Sequence, residues 1–423
     1  MAQLTDDCFA FDGPLMPIEV MEQLIRDRIF PVAAVEAVAL AACRDRTIVK
    51  DVIAPVDLPH FDNSAVDGYA VRHADLDPSG DTVLKIGGRL MAGEVPIHSL
   101  GEREAIRIFT GARMPEGADT VFMQEDAREE GGTVVLPAGL KRGANCRLHG
   151  EDVEAGSTAI PAGRVLNAQN IALAAALGLT QLDVRRRIRV SIFSTGNEIA
   201  EPGSNLEGVQ VFDANRTLLR HMLEQSGCEV SDLGILRDDP SLLKAALAEA
   251  AGTSDVVLTS GGVSTGDADY VRNAVESIGS LDFWRIAIKP GRPVAMGVIP
   301  HQNGNRAAFV GLPGNPVAVF VTFIRVVKPL LARLAGATPL APQPLWVAST
   351  FDYKKKSGRR EYVRVALRQR ADGGFEAMKH PQDGAGVITS LTETDGLVEL
   401  PEEVTHVAVG DRVKFFSYAA LTA

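Results

Sequence analysis

Read along the chain, apolar and polar positions change their period several times. PIEVMEQLIRDRI (17–29) places apolar residues at helical spacing, and AVEAVALAACR (34–44), after Pro31, reads as a second helix. From Ile48 to about Val153 the pattern shifts to short β-type runs, TVLKI, AIRIF, TVFMQE and TVVLP, separated by glycine and proline. EEGG, before TVVL, reads as a hairpin turn. LNAQNIALAAALGL returns to helical spacing, with Gly178 as its stop.

Between Ile188 and about Ala335, strand-like and helix-like runs alternate. IRVSIF, CEVSDLGIL, DVVLTS, FWRIAI, PVAMGV and AAFV read as strands. NRTLLRHMLEQSG, SLLKAALAEA, the stretch after GGVSTGDAD and VAVFVTFIRVVKPLLARL read as helices. Such alternation predicts a mostly parallel sheet covered by helices, with ligands at the carboxyl ends of its strands. STGNE, GGVSTGDAD and GLPGNP each follow an apolar run, which puts them at that edge. The proline-rich GATPLAPQPLW ends this unit. Beyond it LWVAST, REYVRVALRQ, FEAMK and RVKFFSY are strand-like and ADGG is a turn, predicting a small antiparallel β-unit. The expected class is multidomain, α/β plus β.

Bulk properties narrow the function. A chain of 423 residues is too long for one core. A net charge of -11 argues against nonspecific nucleic-acid binding, so any anion site must be locally basic or use backbone N–H groups and metal. The cysteines (Cys8, Cys43, Cys146, Cys228) form no CxxC pair and read as free thiols, and the histidines show no zinc-ligand spacing. The uncharged window Ala307 to Ile324 contains GLPGNP, which would break a membrane-spanning helix. No basic-then-apolar leader is visible at the amino end. A soluble, cytoplasmic protein is expected, without nucleic acid or membrane as partner.

GGVSTGDAD is the first candidate site. Gly261-x-x-x-x-Gly266 is half of a phosphate-binding P-loop, but Asp267 and Ala268 stand where that loop carries Lys and Ser/Thr. Glycines let backbone approach a ligand, and a following helix offers unpaired N–H groups to an anion. Ser264 and Thr265 add hydroxyls, and Asp267 and Asp269 could hold Mg²⁺ beside a phosphate. A plain helix start capped by Asp267 fits the loop equally well. GLPGNP (311–316) adds two glycines and a proline, Pro316, suited to a first helical position; it too could be a packing turn. STGNE supplies Ser194, Thr195 and Glu198, and RDDP supplies Asp238 and Asp239, which could instead cap the next helix. Four such loops at one sheet edge favour a phosphate-plus-metal pocket. IKPGRP brings Arg285, Lys289 and Arg292 together, while KKKSGRR (354–360) is either a second basic contribution or a solvated surface. In FDNSAVDGYAV, Asp62, Asn63, Asp67 and Tyr69 interrupt a strand-like run, and Gly68 is expected to break its regularity. Two carboxylates so close suggest metal or proton handling; a turn is the simpler reading. Arg147 and Asp152 fall in a loop.

FDNSAVDGYAV, TGARMPEGADTVFMQE, GEDVEAG, FSTGNE, ILRDDP, SGGVSTGDADY, IKPGRP and GLPGNP occur in that order over about residues 55–320. Together they resemble the molybdopterin molybdenumtransferase family, the MoeA-type enzymes related to the gephyrin E domain. The resemblance implies four domains: a discontinuous N-terminal helical linker over 11–53 and 155–185, a β-rich domain over 54–154, an α/β molybdopterin-binding domain over 186–337, and a barrel-like β-domain over 338–423. The α/β domain would resemble the adenylyltransferase of the preceding step. The implied reaction inserts molybdate into adenylylated molybdopterin and releases AMP, with Mg²⁺ as cofactor. The implied assembly is a homodimer with its active site between subunits, in transient contact with the adenylyltransferase and with molybdoenzyme chaperones. Carried over by motif, Asp67 and Thr110 would act across the interface with Asp152 nearby, while Glu198, Asp238 and Asp269 would serve nucleotide, metal and hydrolysis. Substrate contacts would come from Arg147, Ser194, Thr195, Gly261, Gly262, Ser264, Arg285, Lys289, Pro313, Gly314, Asn315, Pro316 and Arg364.

The chain departs from this family at several positions. Arg285 replaces a companion lysine, exchanging a point charge for a planar fork. Leu148-His149 replaces an often arginine-rich stretch, Asn197 a common Asp, and Ala385 the serine of a QGS-type turn, which removes a hydroxyl contact to molybdate or pterin. Two other functions compete: the preceding step, adenylyl transfer from ATP to molybdopterin, and a non-catalytic scaffold. The added β-domains weigh for insertion, and acids at four strand ends weigh against a scaffold.

Overall fold

The computed structural model describes residues 4–422 except 12, 14, 97, 98, 263–269, 339 and 340. The apolar runs in the middle of the chain build a six-stranded sheet, as strands covered on both faces must. Its spatial order is Glu229–Leu236, Arg189–Thr195, Val256–Ser260, Arg306–Leu312, Pro293–Pro300, Ser280–Arg285. The first four strands are mutually parallel and the last two add antiparallel. Successive side chains point to opposite faces. Thus Phe193, Val257 and Phe309 pack on helices Pro240–Thr253 and Tyr270–Glu276, while Ile192, Leu258 and Val310 meet Ala214–Gln225 and the helical stretch 316–334. That stretch runs from Pro316–Thr322 through a π-helical turn, Phe323–Val327, into Lys328–Leu334. The window 307–324 is therefore strand, loop and helix, and among the described residues no helix is long and apolar enough to cross a membrane.

The first helix, Ile18–Arg28, forms where its spacing predicts, but Met21, Leu24 and Ile25 join the α/β core and pack toward Lys328–Leu334. It is part of that core, not of a separate linker. Ahead of it Leu4, Cys8 and Phe9 are buried in the same cluster, and the carbonyl of Phe9 accepts a 2.8 Å hydrogen bond from Trp284 Nε1. Burial pushes the Cys8 thiol up to about 12, and all four cysteines are free.

The second expected helix does not exist. Val35–Ala39 is a strand antiparallel to Gln181–Arg185, followed by a single 3-10 turn, Leu40–Ala42. Alanine and leucine favour helix locally. The partner that wins lies far along the chain and leaves no local mark.

The β-rich sheet has the order Thr120–Met123, Gly68–Val71, Glu104–Ile108, Thr82–Leu90, Thr133–Leu136, Arg128–Glu130. Gly131 and Gly132, with φ of +55° and +86°, make the predicted hairpin turn. Gly68 does not break its strand: Gly68–Val71 pairs regularly on both sides. The glycine is required because a Cβ there would run into the backbone carbonyl of Phe122.

In the C-terminal region the strands Arg360–Gln369, Phe375–Lys379, Leu345–Ser349, Arg412–Ser417 and Gly396–Leu400 close into a five-stranded barrel, the first pairing with the last. Val347, Val363, Val365, Val398 and Phe415 fill it. One pair, Leu345–Ser349 with Phe375–Lys379, is parallel, so the unit is not wholly antiparallel. A two-residue strand, Ile288–Lys289, pairs parallel with Arg360 and Glu361 and joins the barrel to the α/β sheet. Gly68→Ala is expected to cost about 2 kcal/mol by overpacking, read as a lower denaturant midpoint at unchanged m.

Candidate active site

The parallel strands deliver their loops to one edge. Thr195 ends the second strand of the order, Arg189–Thr195, and its Oγ1 donates to Asp238 Oδ1 at 2.6 Å. Asp239 caps the next helix, accepting from the N–H groups of Ser241 (2.8 Å) and Leu242 (3.0 Å). The two acids of RDDP thus divide the roles: one caps, the other faces the strand ends. Gly261 and Gly262 adopt φ of +83° and +65°, open to glycine at no steric cost. The Gly261 N–H donates to the Leu312 carbonyl at 3.0 Å, and a Cβ on Gly262 would strike the Thr195 side chain. Gly314 faces Gly261, and its carbonyl accepts from Asn215 Nδ2 at 2.6 Å. Asn197 and Glu198, in the loop that follows Thr195, are exposed. The hydroxyls of Ser194 and Thr259, near the same strand ends, are buried and unpartnered. Ser264, Thr265, Asp267 and Asp269 lie outside the described residues.

The other side of the GLPGNP loop faces a cavity of about 320 Å³ between the α/β sheet and the barrel, lined by Lys289, Pro313, Asn315, Tyr353, Arg364 and Ala385 among others. Pro316 begins the helix behind it, and the Val317 N–H donates to the Ala385 carbonyl at 3.0 Å. The Arg364 guanidinium is buried: Nη2 donates to the carbonyls of Gln382 (2.9 Å) and Gly384 (3.3 Å), while Nε has no partner. Burial holds its pKa below the usual guanidinium value.

Across the cavity Lys289 Nζ lies 3.1 Å from Glu361 Oε2 and 3.3 Å from Tyr353 Oη. Tyr353 Oη donates to the same carboxylate oxygen at 2.8 Å, and Arg359 Nε donates to the other at 2.9 Å. Burial pushes the Glu361 carboxyl up, but the bonds from Tyr353 and Lys289 outweigh it and hold it below its ordinary value. Burial, and then the bond to Glu361, raises the Tyr353 phenol. Asp383 is spent on Lys379, 2.6 Å away. Around the cavity the cations Lys289, Arg359, Arg364 and Lys379, set against the lining acids Glu361 and Asp383, leave two net positive charges (four minus two). A buried, partly unpaired guanidinium in a net-positive cavity is chemistry that awaits an anion.

The β-rich sheet carries the remaining candidates. Asp67 Oδ1 accepts from the Thr110 N–H (2.8 Å) and Oγ1 (2.7 Å). Asp62 instead accepts from the His149 N–H at 2.7 Å, so these neighbouring acids do not share a partner. Arg147 Nε donates to Glu151 at 2.8 Å, and Asp152 is exposed. Among the described residues no group of three His, Cys, Asp or Glu side chains could hold a metal by itself. Arg285 is exposed at its strand end and is not one of the cavity-lining residues.

Sequence reasoning missed Tyr353, Glu361 and His380, all in the cavity wall. One signal was present. Glu361 alternates with Val363 and Val365 along REYVRV, and an acid in register with two barrel-core valines must have partners.

Comparison with known proteins agrees with this layout. Residues 16–178 match the model of the MoeA N-terminal region (domain I and II), 191–333 that of a probable molybdopterin binding domain, and 347–418 that of the MoeA C-terminal region (domain IV). The molybdopterin molybdenumtransferase of Haemophilus influenzae is 37% identical over 380 residues, covering 89% of this chain and 92% of its own. That of a Nostoc species is 36% identical over 384 residues, covering 89% and 87%. The crystal structure of the molybdopterin biosynthesis MoeA protein from Pyrococcus horikoshii superposes with a TM-score of 0.78 at 28% identity, over 96% of this chain and 100% of that one. Three matched regions in order, and relatives alike over nearly their whole length, show that this chain belongs to the molybdopterin molybdenumtransferase family, enzymes of molybdenum cofactor biosynthesis.

Proposed function

We propose that this chain inserts molybdate into the dithiolene of adenylylated molybdopterin, cleaving the phosphoanhydride and releasing AMP. One observation carries the proposal: a single loop, GLPGNP, separates two hosts of different chemistry. Gly314 meets the glycine turn at the strand ends, while Pro313 and Asn315 line the net-positive cavity. Backbone N–H groups and hydroxyls at strand ends suit a phosphoanhydride. A buried guanidinium with a lysine suits a tetrahedral dianion. The dithiolene, which must meet both, would lie across the loop between them.

The donor set suits Mg²⁺. Glu198 and Asp238 offer hard oxygens, Asp238 is oriented by Thr195, and the hydroxyls of Ser194 and Thr259 still want partners. Mg²⁺ takes one or two carboxylates together with substrate phosphates, and Asp269 would add a third. When bound, the ion supplies charge neutralisation at the departing phosphate. Ser194, Thr195, Gly261, Gly262 and Ser264 would bind the nucleotide end, and Lys289 and Arg364 the oxyanion. Asp67, Thr110, Asp152 and Arg147 would act from a second subunit, making the working unit a homodimer with its site between subunits. Contacts with the adenylyltransferase and with molybdoenzyme chaperones would be transient, and the reaction cytoplasmic.

The Thr110 backbone N–H, and then its hydroxyl, hold the Asp67 carboxyl below its ordinary value. An ionised Asp67 suits orienting water or metal better than donating a proton. Because its folded pKa lies below its unfolded one, its stabilising contribution is present above the unfolded value and lost as pH falls through the folded one. Thr110→Val should raise the Asp67 pKa, followed by carboxyl chemical-shift titration, and the stabilities of the two proteins should draw together at acid pH.

Asp238→Asn and Asp269→Ala should each lower molybdate-dependent AMP release by about 100-fold or more. Near-wild-type rates would remove the residue from the site. With Mg-ATP and molybdopterin alone, no adenylylation is expected; if it occurs, the preceding step is the better assignment.

A further inference from the structure

We propose that Glu361 is the positioning residue of the oxyanion cavity: its buried carboxylate aims the Lys289 ammonium into it. This rests on the reading of that cavity as the molybdate host. A carboxylate in the wall of an anion site looks misplaced, because like charges repel at short range. Its bonds resolve the difficulty. Oε2 accepts from Tyr353 (2.8 Å) and Lys289 (3.1 Å), and Oε1 from Arg359 (2.9 Å), so both oxygens are committed, two of the three donors being cations.

Lys289 needs such a guide. Its side chain is 42% exposed, and its flexible stem would otherwise let the ammonium turn into solvent. Glu361, 2% exposed, sits opposite it in the parallel pairing, so the backbone brings the two together. An ammonium has three protons. Glu361 and Tyr353 Oη engage two, leaving one for a ligand. Without the carboxylate, Lys289 and Arg359 would lose the acid that both of them bond.

Two other accounts of Glu361 make different predictions. If it only docks the barrel on the α/β sheet, its loss affects stability alone. If it acts only through its charge, neutralising it tightens anion binding. Positioning predicts that binding weakens, whether the charge is removed or merely shortened in reach.

The test is calorimetric titration of sodium molybdate into the full-length protein, without pterin, alongside thermal unfolding. Glu361→Gln and Glu361→Asp should each weaken molybdate binding about tenfold, the worth of one charge-assisted hydrogen bond. Unchanged or tighter binding in Glu361→Gln would overturn the proposal. If neither variant folds, Tyr353→Phe decides, since it keeps the ring and the net charge: about threefold weaker binding supports the proposal and unchanged binding overturns it. Arg364→Ala separates the two levels. If the wild-type protein binds no molybdate, or Arg364→Ala leaves binding intact, the oxyanion reading fails and Glu361's role with it. If Arg364→Ala abolishes binding while Glu361→Gln keeps full affinity, only the role of Glu361 falls.

Discussion

A carboxylate taken out of water has to be met by donors, and much of this molecule's arrangement follows from how Glu361 is met. Lys289 comes from the turn after the α/β sheet's edge strand; Tyr353 and Arg359 come from the approach to the barrel. Satisfying one acid therefore ties two units to each other, and the cavity lies in the space left between them. The next residue extends the same junction: Arg360 reaches Glu19 of the first helix and Glu402 of the barrel, at 2.5 and 2.9 Å. Arg325, in the π-helical turn, pairs with Glu22 at 2.7 Å and lies 6.0 Å from the Tyr362 ring. Helix, sheet and barrel are thus tied to one another by pairs of opposite charge.

The strand-end edge obeys a different constraint. There side chains give way to main chain: Gly261 and Gly262 turn with positive φ, and Gly314 faces Gly261. What remains are short oxygens, Thr195 and Asp238, locked together at 2.6 Å. The two places thus differ in kind. One is lined by long cations held by an acid, the other by bare main chain and hydroxyls.

This edge was legible in the sequence because its signals are local. Glycines and acids directly after apolar runs can lie only at strand ends, and the runs themselves specify the sheet. The cavity was not legible by that route. It is made by the pairing of residues 288–289 with 360–361, a register no local period reports. Arg364 entered through family resemblance alone, and Tyr353 and Glu361 did not enter at all. Val35–Ala39 failed for the same reason, its strand character residing in residues 181–185. Gly68 failed for the opposite one: glycine reads as a breaker, yet here it lets two strands approach more closely than any Cβ permits.

The burial of Leu4, Cys8 and Phe9 beneath Trp284 has a consequence for synthesis. The carbonyl of Phe9 and its indole partner are 275 positions apart. At ordinary translation speeds this leaves the stretch waiting about 14 to 55 s on the ribosome with its apolar side chains uncovered. A bulky fusion ahead of Leu4 would have to leave that route open, and proteolysis or chaperone capture of the nascent chain should concentrate there.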